Sequence, residues 1–354
     1  MPVNTSRTTY REHTDTENIL KLRQVLSTLP AFCKDYFRAI DSTTTTKTRI
    51  SYAYDIRIFF QFLLDENPAF KNYAMTDFSV AVLDQIKAVD LEEYMEYLKV
   101  YQNGDKTETN GERGLKRKIS ALRSFYAYYY KREMIHTNPT VLIDVPKIHD
   151  KSIIRLDTDE VALLLDYIEH CGDSLTGQKR VYYEKTKERD LAIVTLLLGT
   201  GIRVSECVGL DIEDVDFKNN GIKVTRKGGN EMVVYFGEEV EKALKRYLEV
   251  RAGITPLAGH EHALFYSAQR KRMGVQAVEN MVKKYSCQIT TTKKITPHKL
   301  RSTYGTALYQ ETGDIYLVAD VLGHKDVNTT KKHYAALDDA RRRQAATAVR
   351  LRED

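Results

Sequence analysis

Three short segments in the second half of this 354-residue chain carry side chains that could do chemistry together. TGIRVSECVGL presents Arg203 just after two glycines, with Glu206 three residues on. TPHKLRSTYGTAL places His298 and Arg301 three apart, hence on one helical face. LGHKDVNTTKKHYAAL holds His324 and, ten residues on, Tyr334. Between the first two lies Lys227, beside Arg226 in an RKGGN turn. Arginine forks grip pairs of anionic oxygens, histidine moves a proton near neutral pH, and a tyrosine hydroxyl can act as a nucleophile. Singly, each signal is weak. A lone arginine is usually a structural ion pair, H-x-x-R arises by chance, and the chain has 23 tyrosines. His324 and His333 lack further ligands at metal spacing, so no metal site is expected.

The elements that must position these residues are mostly helical. The first 20 or so residues read as a loose arm. From Glu17, Ile19, Leu22, Leu26 and Leu29 recur at helical spacing up to Pro30. AFCKDYFRAI reads as a short helix. In KTRISYAYDIRIFFQFLLDEN, Tyr52, Ile56, Phe59, Phe60 and Leu63 form an apolar stripe that Asn67-Pro68 stops. VDLEEYMEYLKVYQ is a further helix, and NGDKTETNGERG reads as a polar loop. In LKRKISALRSFYAYYYKREMI, Leu115, Ile119, Leu122, Tyr126 and Tyr129 share one face, with Lys116, Ser120 and Arg123 on another. The first half is therefore expected to be all-helical. KIHDKSIIRLDTDE reads as an interdomain linker. Helices follow over EVALLLDYIEH, ERDLAIVTLLLGTG and EEVEKALKRYLEV. The one clear β signal is GIKVTRKGGNEMVVYF, two β-rich runs about the RKGGN turn.

Composition excludes several classes. Hydrophobic residues are 42% and charged residues 29%, the balance of a globular rather than a disordered chain. LAIVTLLLGTGI, the longest strongly apolar stretch, falls short of the roughly 20 residues of a membrane span. The polar N-terminus does not read as a secretory signal, so a cytoplasmic protein is expected. No two of Cys33, Cys171, Cys207 and Cys287 are close in sequence, as for reduced thiols in that compartment. The net charge of +5 is a weak pointer to nucleic acid. A phosphate-binding P-loop, a complete dinucleotide fingerprint and a G-x-S-x-G elbow are absent from the sequence.

In their order along the chain, the motifs resemble the tyrosine site-specific recombinases, the family of phage integrases and Xer recombinases. That family's signature is an arginine followed by glutamate at R-x-x-E, a hairpin lysine, H-x-x-R, L-G-H and a following tyrosine. Here these are Arg203 with Glu206, Lys227, His298 with Arg301, Leu322-Gly323-His324, and Tyr334. The likeness covers about residues 155–345 strongly and the first half more weakly. Residues 22–64 are most similar to single-protein Xer recombinases of the streptococcal type.

The resemblance implies a mainly α fold with a small β-sheet, in two domains. An arm (1–20) precedes a helical core-binding domain (21–146). A linker (147–156) leads to a mixed α/β catalytic domain (157–354), with a C-terminal helix that links subunits. It implies that Tyr334 attacks a DNA phosphate to give a 3′-phosphotyrosine, which conserves the bond energy without ATP or any metal or other cofactor. Arg203 and Arg301 would clamp the non-bridging oxygens, with His298 and His324 adding hydrogen bonds. Lys227 would be the general acid, and Glu206 would orient an arginine. Basic residues expected against DNA are Lys47, Arg49, Arg57, Lys116, Arg117, Lys118 and Arg123 in the first domain, and Arg270, Lys271 and Arg272 in the second. The implied partners are double-stranded DNA with two half-sites and a homo-tetramer on paired sites. The implied roles are DNA integration and excision, or chromosome dimer resolution in chromosome partition at cell division. A type IB topoisomerase-like enzyme, or a non-catalytic DNA-binding regulator of the same fold, are the rival readings.

Overall fold

The computed structural model describes residues 9–149, 153–226, 229–324, 326–328 and 330. The chain divides into two compact units, residues 1–150 and 151–354. The first contains helices α1 (Tyr10–Leu26), α2 (Cys33–Ala39), α3 (Thr46–Glu66), α4 (Val82–Gln85) and α5 (Ala88–Tyr97). The hairpin β1 (Val100–Asn103) and β2 (Lys106–Thr109) follows, and then α6 (Glu112–Tyr130). The predicted apolar stripes are the ones that pack. Ile56, Phe59, Phe60 and Leu63 of α3 meet Leu115, Ile119, Leu122, Tyr126 and Tyr129 of α6 in one core. Many of its aromatic rings meet edge to face, as their quadrupoles favour: Tyr36 and Phe125 lie 5.2 Å apart at 87°.

Two expectations for this unit need correction. The chain is helical from Tyr10, not from Glu17. Thr9 accepts the Glu12 backbone N–H at 3.2 Å, and the Thr9 N–H donates back to the Glu12 carboxylate at 2.7 Å. This reciprocal cap satisfies two helix-end donors and starts the helix at a polar stretch. The first half is also not all-helical, since the expected polar loop lies largely in the antiparallel β1–β2 hairpin. All of β2 is exposed, so no apolar alternation signals it.

The second unit contains α7 (Thr158–His170), α8 (Gly177–Thr200), α9 (Val204–Gly209), β3 (Val215–Asp216), β4 (Gly221–Thr225) and β5 (Glu231–Tyr235). It continues with α10 (Glu238–Ala252), α11 (Val275–Ile289), α12 (Pro297–Thr312) and α13 (Ile315–Leu322). Strands β3, β4 and β5 form one antiparallel sheet in that order, and the β4–β5 ladder ends at Thr225↔Glu231. The described residues between the two strands, Arg226, Gly229 and Asn230, fall where the sequence placed a turn. Helix α8 starts eleven residues before the expected segment at Glu188, and its second half is buried almost throughout. Three glycines end helices in the left-handed conformation: Gly201 after α8, Gly313 after α12 and Gly323 after α13, with φ +61°, +69° and +61°. That backbone suits glycine and lets each helix stop sharply. Among the described residues, no helix is long and apolar enough to cross a membrane.

Candidate active site

The site is built at the C-terminal end of α13. The last carbonyls of a helix have no partner within it and need donors from elsewhere. Here three successive carbonyls receive arginines from three distant segments. Arg226 Nη2 donates to Val321 O at 2.6 Å. Arg301 Nη2 donates to Leu322 O. Arg203 Nη2 donates to Gly323 O at 3.3 Å. The helix dipole also places partial negative charge at this end, which favours cations there.

Each arginine is held further by its own surroundings. Arg203 is the residue before α9, and Glu206 in the first turn grips it twice. The Arg203 backbone N–H donates to Glu206 Oε2 and Nη1 donates to Oε1, both at 2.8 Å. The Glu206 side chain is only 3% exposed, so this is a half-buried ion pair with a fixed geometry. Arg301, on the second turn of α12, is buried and its Nη1 donates to Gly201 O at 2.5 Å. The α8 end thus meets α12 at a glycine. A Cβ at Gly201 would overlap the Tyr304 ring and crowd the Leu322 side chain at 2.9 Å.

His298 is exposed in the first turn of α12, one turn before Arg301. His324 follows Gly323 and is half-buried. Its backbone N–H donates to Ala319 O at 2.9 Å, and Nδ1 lies 2.7 Å from Thr330 Oγ1. That contact sets the orientation of the ring and directs Nε2 away from it. The structure therefore brings together Arg203, Glu206, Arg301 and the L-G-H corner. Lys227, Tyr334 and His333 lie outside the described residues, as does the C-terminal segment expected to link subunits. Sequence reasoning missed Arg226 and Thr330 as members of this corner. Arg226 left one signal, its place beside Lys227.

The basic residues expected against DNA separate into two groups. Lys47, Lys116, Arg270 and Lys271 are exposed, and Arg57 lies over the Tyr54 ring at 5.0 Å. Arg270 adopts φ +61° at the tip of a tight turn closed by Ser267 and Lys271. The others have partners within the protein. Lys118 is 5% exposed and donates to Asp55 at 3.3 Å, and Arg117 donates to the same buried carboxylate. Arg123 donates to the carbonyls of Thr140 and Ile143, at 3.1 and 2.6 Å. Arg49 pairs with Asp41. Arg272 donates to Val208 O at 3.0 Å, to Leu210 O at 2.8 Å and to Asp211. For Lys118 the reason is helical period: it sits beside Ile119 on the edge of the buried α6 stripe, where its ammonium needs an anion.

Arginines fixed at one corner, with His324 beside them and His298 one turn before Arg301, have the chemistry to hold an anionic phosphate and to move a proton. The chain belongs to the phage integrase family, whose profile matches residues 155–341. It is a tyrosine recombinase, as are its relatives. It is 33% identical to the tyrosine recombinase XerC of Caldanaerobacter subterraneus subsp. tengcongensis, across 90% of this chain and 86% of that one. It is 31% identical to the tyrosine recombinase XerS of Lactococcus lactis subsp. cremoris, across 89% and 93%. The fold is similar to that of the XerH site-specific recombinase bound to a palindromic difH substrate in a post-cleavage complex. That match has a TM-score of 0.63 at 20% identity, over 97% of this chain and 90% of that one. The Tn1549 transposon integrase in complex with circular intermediate DNA matches with a TM-score of 0.61 at 21% identity, over 85% and 94%.

Proposed function

We propose that this recombinase cuts DNA with Tyr334 while Arg203 and Arg301 hold the phosphate, and that the corner at the end of α13 is where the phosphate binds. The observation that carries this reading is the fixing of Arg203 and Arg301 on adjacent carbonyls, Gly323 O and Leu322 O, beside His324. Guanidiniums held in place before the reaction stabilise the charge of the pentacoordinate phosphorus without a reorganisation cost.

The phenolic oxygen of Tyr334 forms a bond to phosphorus, and its proton passes to an imidazole, His298 or His324. The bond from phosphorus to the 5′ oxygen breaks, the electron pair leaves on that oxygen, and Lys227 gives it a proton. The product is a 3′-phosphotyrosine and a free 5′ hydroxyl. A 5′ hydroxyl from a partner strand reverses the step and rejoins the DNA. No ATP enters this cycle, because the phosphotyrosine keeps the energy of the phosphodiester.

Lys47, Arg57, Lys116, Arg270 and Lys271 are proposed to neutralise phosphates of the DNA backbone. The protein is proposed to act in the cytoplasm as a tetramer on paired sites, with two half-sites each. Chromosome dimer resolution and DNA integration or excision are both consistent with the tyrosine recombinase relatives. The experiment is capture of covalent protein–DNA adducts from a cell extract, followed by sequencing of the attached strands. Adducts at one chromosomal locus, lost in Tyr334→Phe, are the expected result. Adducts that persist in Tyr334→Phe would assign the nucleophile elsewhere. Relaxation of a one-site plasmid with no exchange between two sites would favour the topoisomerase reading.

A further inference from the structure

The third arginine at the α13 corner has no assigned role. Arg226 ends the β4–β5 ladder and opens the RKGGN turn. Its backbone is pinned there: its N–H donates to Asn230 O at 2.8 Å, and its carbonyl accepts from the Gly229 N–H at 2.9 Å. Its side chain reaches across to Val321 O with Nη2 alone. The guanidinium lies on the bare backbone of Gly323, where a Cβ would overlap Nη1. Among the described residues, its Nε and Nη1 are buried and have no acceptor.

Two buried donors without acceptors are an unusual arrangement, and such groups are generally paired. The local charge makes it more unusual. Arg203, Arg226 and Arg301 converge on three successive carbonyls, against the carboxylates of Glu206, which grips Arg203, and Asp320. Burial lowers the pKa of Arg226; Glu206 and Asp320 oppose that and Arg203 adds to it. The corner thus holds an excess of positive charge and two unused N–H donors. Both deficits are met by one ligand, a group with two anionic oxygens. A non-bridging pair on a DNA phosphate is such a group, and an arginine fork matches it.

We propose that Arg226 is a third phosphate-binding arginine of this site, parked on Val321 O and Gly323 until DNA brings the acceptor for Nε and Nη1. Because its backbone is held by the turn, engagement is a rotation of the side chain off Gly323. This deepens the recombinase reading and rests on it for the identity of the phosphate.

Two measurements on the full chain test it. The first is binding to a short synthetic duplex across a range of salt concentration. Taking away one phosphate-neutralising cation flattens the slope of log K against log salt by about 0.9. Arg226→Gln and Arg226→Met, both neutral, should each flatten the slope by roughly that amount, and Arg226→Lys should restore it. An unchanged slope in both neutral variants overturns the proposal. The second uses a nicked half-site duplex taken from DNA recovered as wild-type adduct, with a neutral methylphosphonate at the cleaved position. If Arg226 neutralises that phosphate, the cleavage defect of Arg226→Gln shrinks on this substrate. An equal defect on both substrates places Arg226 off the cleaved phosphate and overturns the assignment. A flattened slope with no wild-type adduct would instead leave the phosphate contact standing and remove the recombinase mechanism.

Discussion

At the scale of single residues, the arginines should separate chemistry from binding. Arg203→Ala is expected to lower the cleavage rate by about 10²–10³ while changing duplex affinity far less, because the charge it meets peaks in the transition state. Parallel losses in rate and affinity, measured by adduct formation and equilibrium binding, would make it an ordinary phosphate contact. Lys227 is tested through its proton. On a substrate with sulfur at the 5′ bridging position the leaving group needs no acid, so Lys227→Ala should be slow on normal DNA and nearly normal on the sulfur substrate. A defect of equal size on both would move the acid role to another residue. Much of this site was legible because its residues lie in compact motifs: R-x-x-E puts Glu206 within reach of Arg203 through one helical turn. Arg226 and Thr330 were not legible as parts of it. The bond from Arg226 to Val321 O spans 95 residues of chain, and nothing local in RKGGN announces it.

At the scale of elements, two places add buried polar contacts to the apolar packing. Asp55 of α3, 2% exposed, is bonded by Arg117 and Lys118 of α6. Removing the carboxylate leaves the Lys118 ammonium buried and unpaired. Asp55→Ala should therefore lose about 3–5 kcal/mol in urea unfolding, and Asp55→Leu with Lys118→Met should recover most of it. If Asp55→Ala unfolds at the wild-type midpoint, the cluster contributes nothing to holding the helices together. The other place is Gly323. Gly323→Ala forces a left-handed conformation, costing roughly 1–2 kcal/mol, and also displaces the Arg226 guanidinium. Both the melting temperature and adduct formation should fall. Helices with wide apolar stripes, such as α3 and α6, were readable from the sequence because burial imposes the 3.6-residue period. The start of α1 and the β1–β2 hairpin were not, because a side-chain cap and exposed ladder bonds hold them instead of an apolar face.

At the scale of the whole molecule, exchange between two duplexes needs four cleavages, one for each copy of the proposed tetramer. Beyond Tyr334 the chain supplies Ala335, Ala336, Leu337, Ala340, Ala345, Ala346, Ala348, Val349 and Leu351, enough small apolar surface for a helix with one adhesive face. Deleting residues 341–354 is expected to spare binding to a single half-site and to impair cooperative filling of the second, as read from gel-shift titrations, together with recombination between two sites. Cooperativity that survives the truncation would show that this segment serves its own subunit. The division at Asp150 and Lys151 falls within the segment whose composition reads as a linker.

The corner at the end of α13 also sets an order of events during synthesis. Arg203 and Arg226 leave the ribosome about a hundred residues before Val321 to Gly323, which supply the acceptors for Arg226, Arg301 and Arg203. A nascent chain that stops short of Val321 holds the arginines and none of these anchors. Translation runs from the N-terminus, and domains fold in that order. The unit ending at Asp150 is therefore complete well before the cutting centre exists, and an interrupted chain is left without an assembled blade.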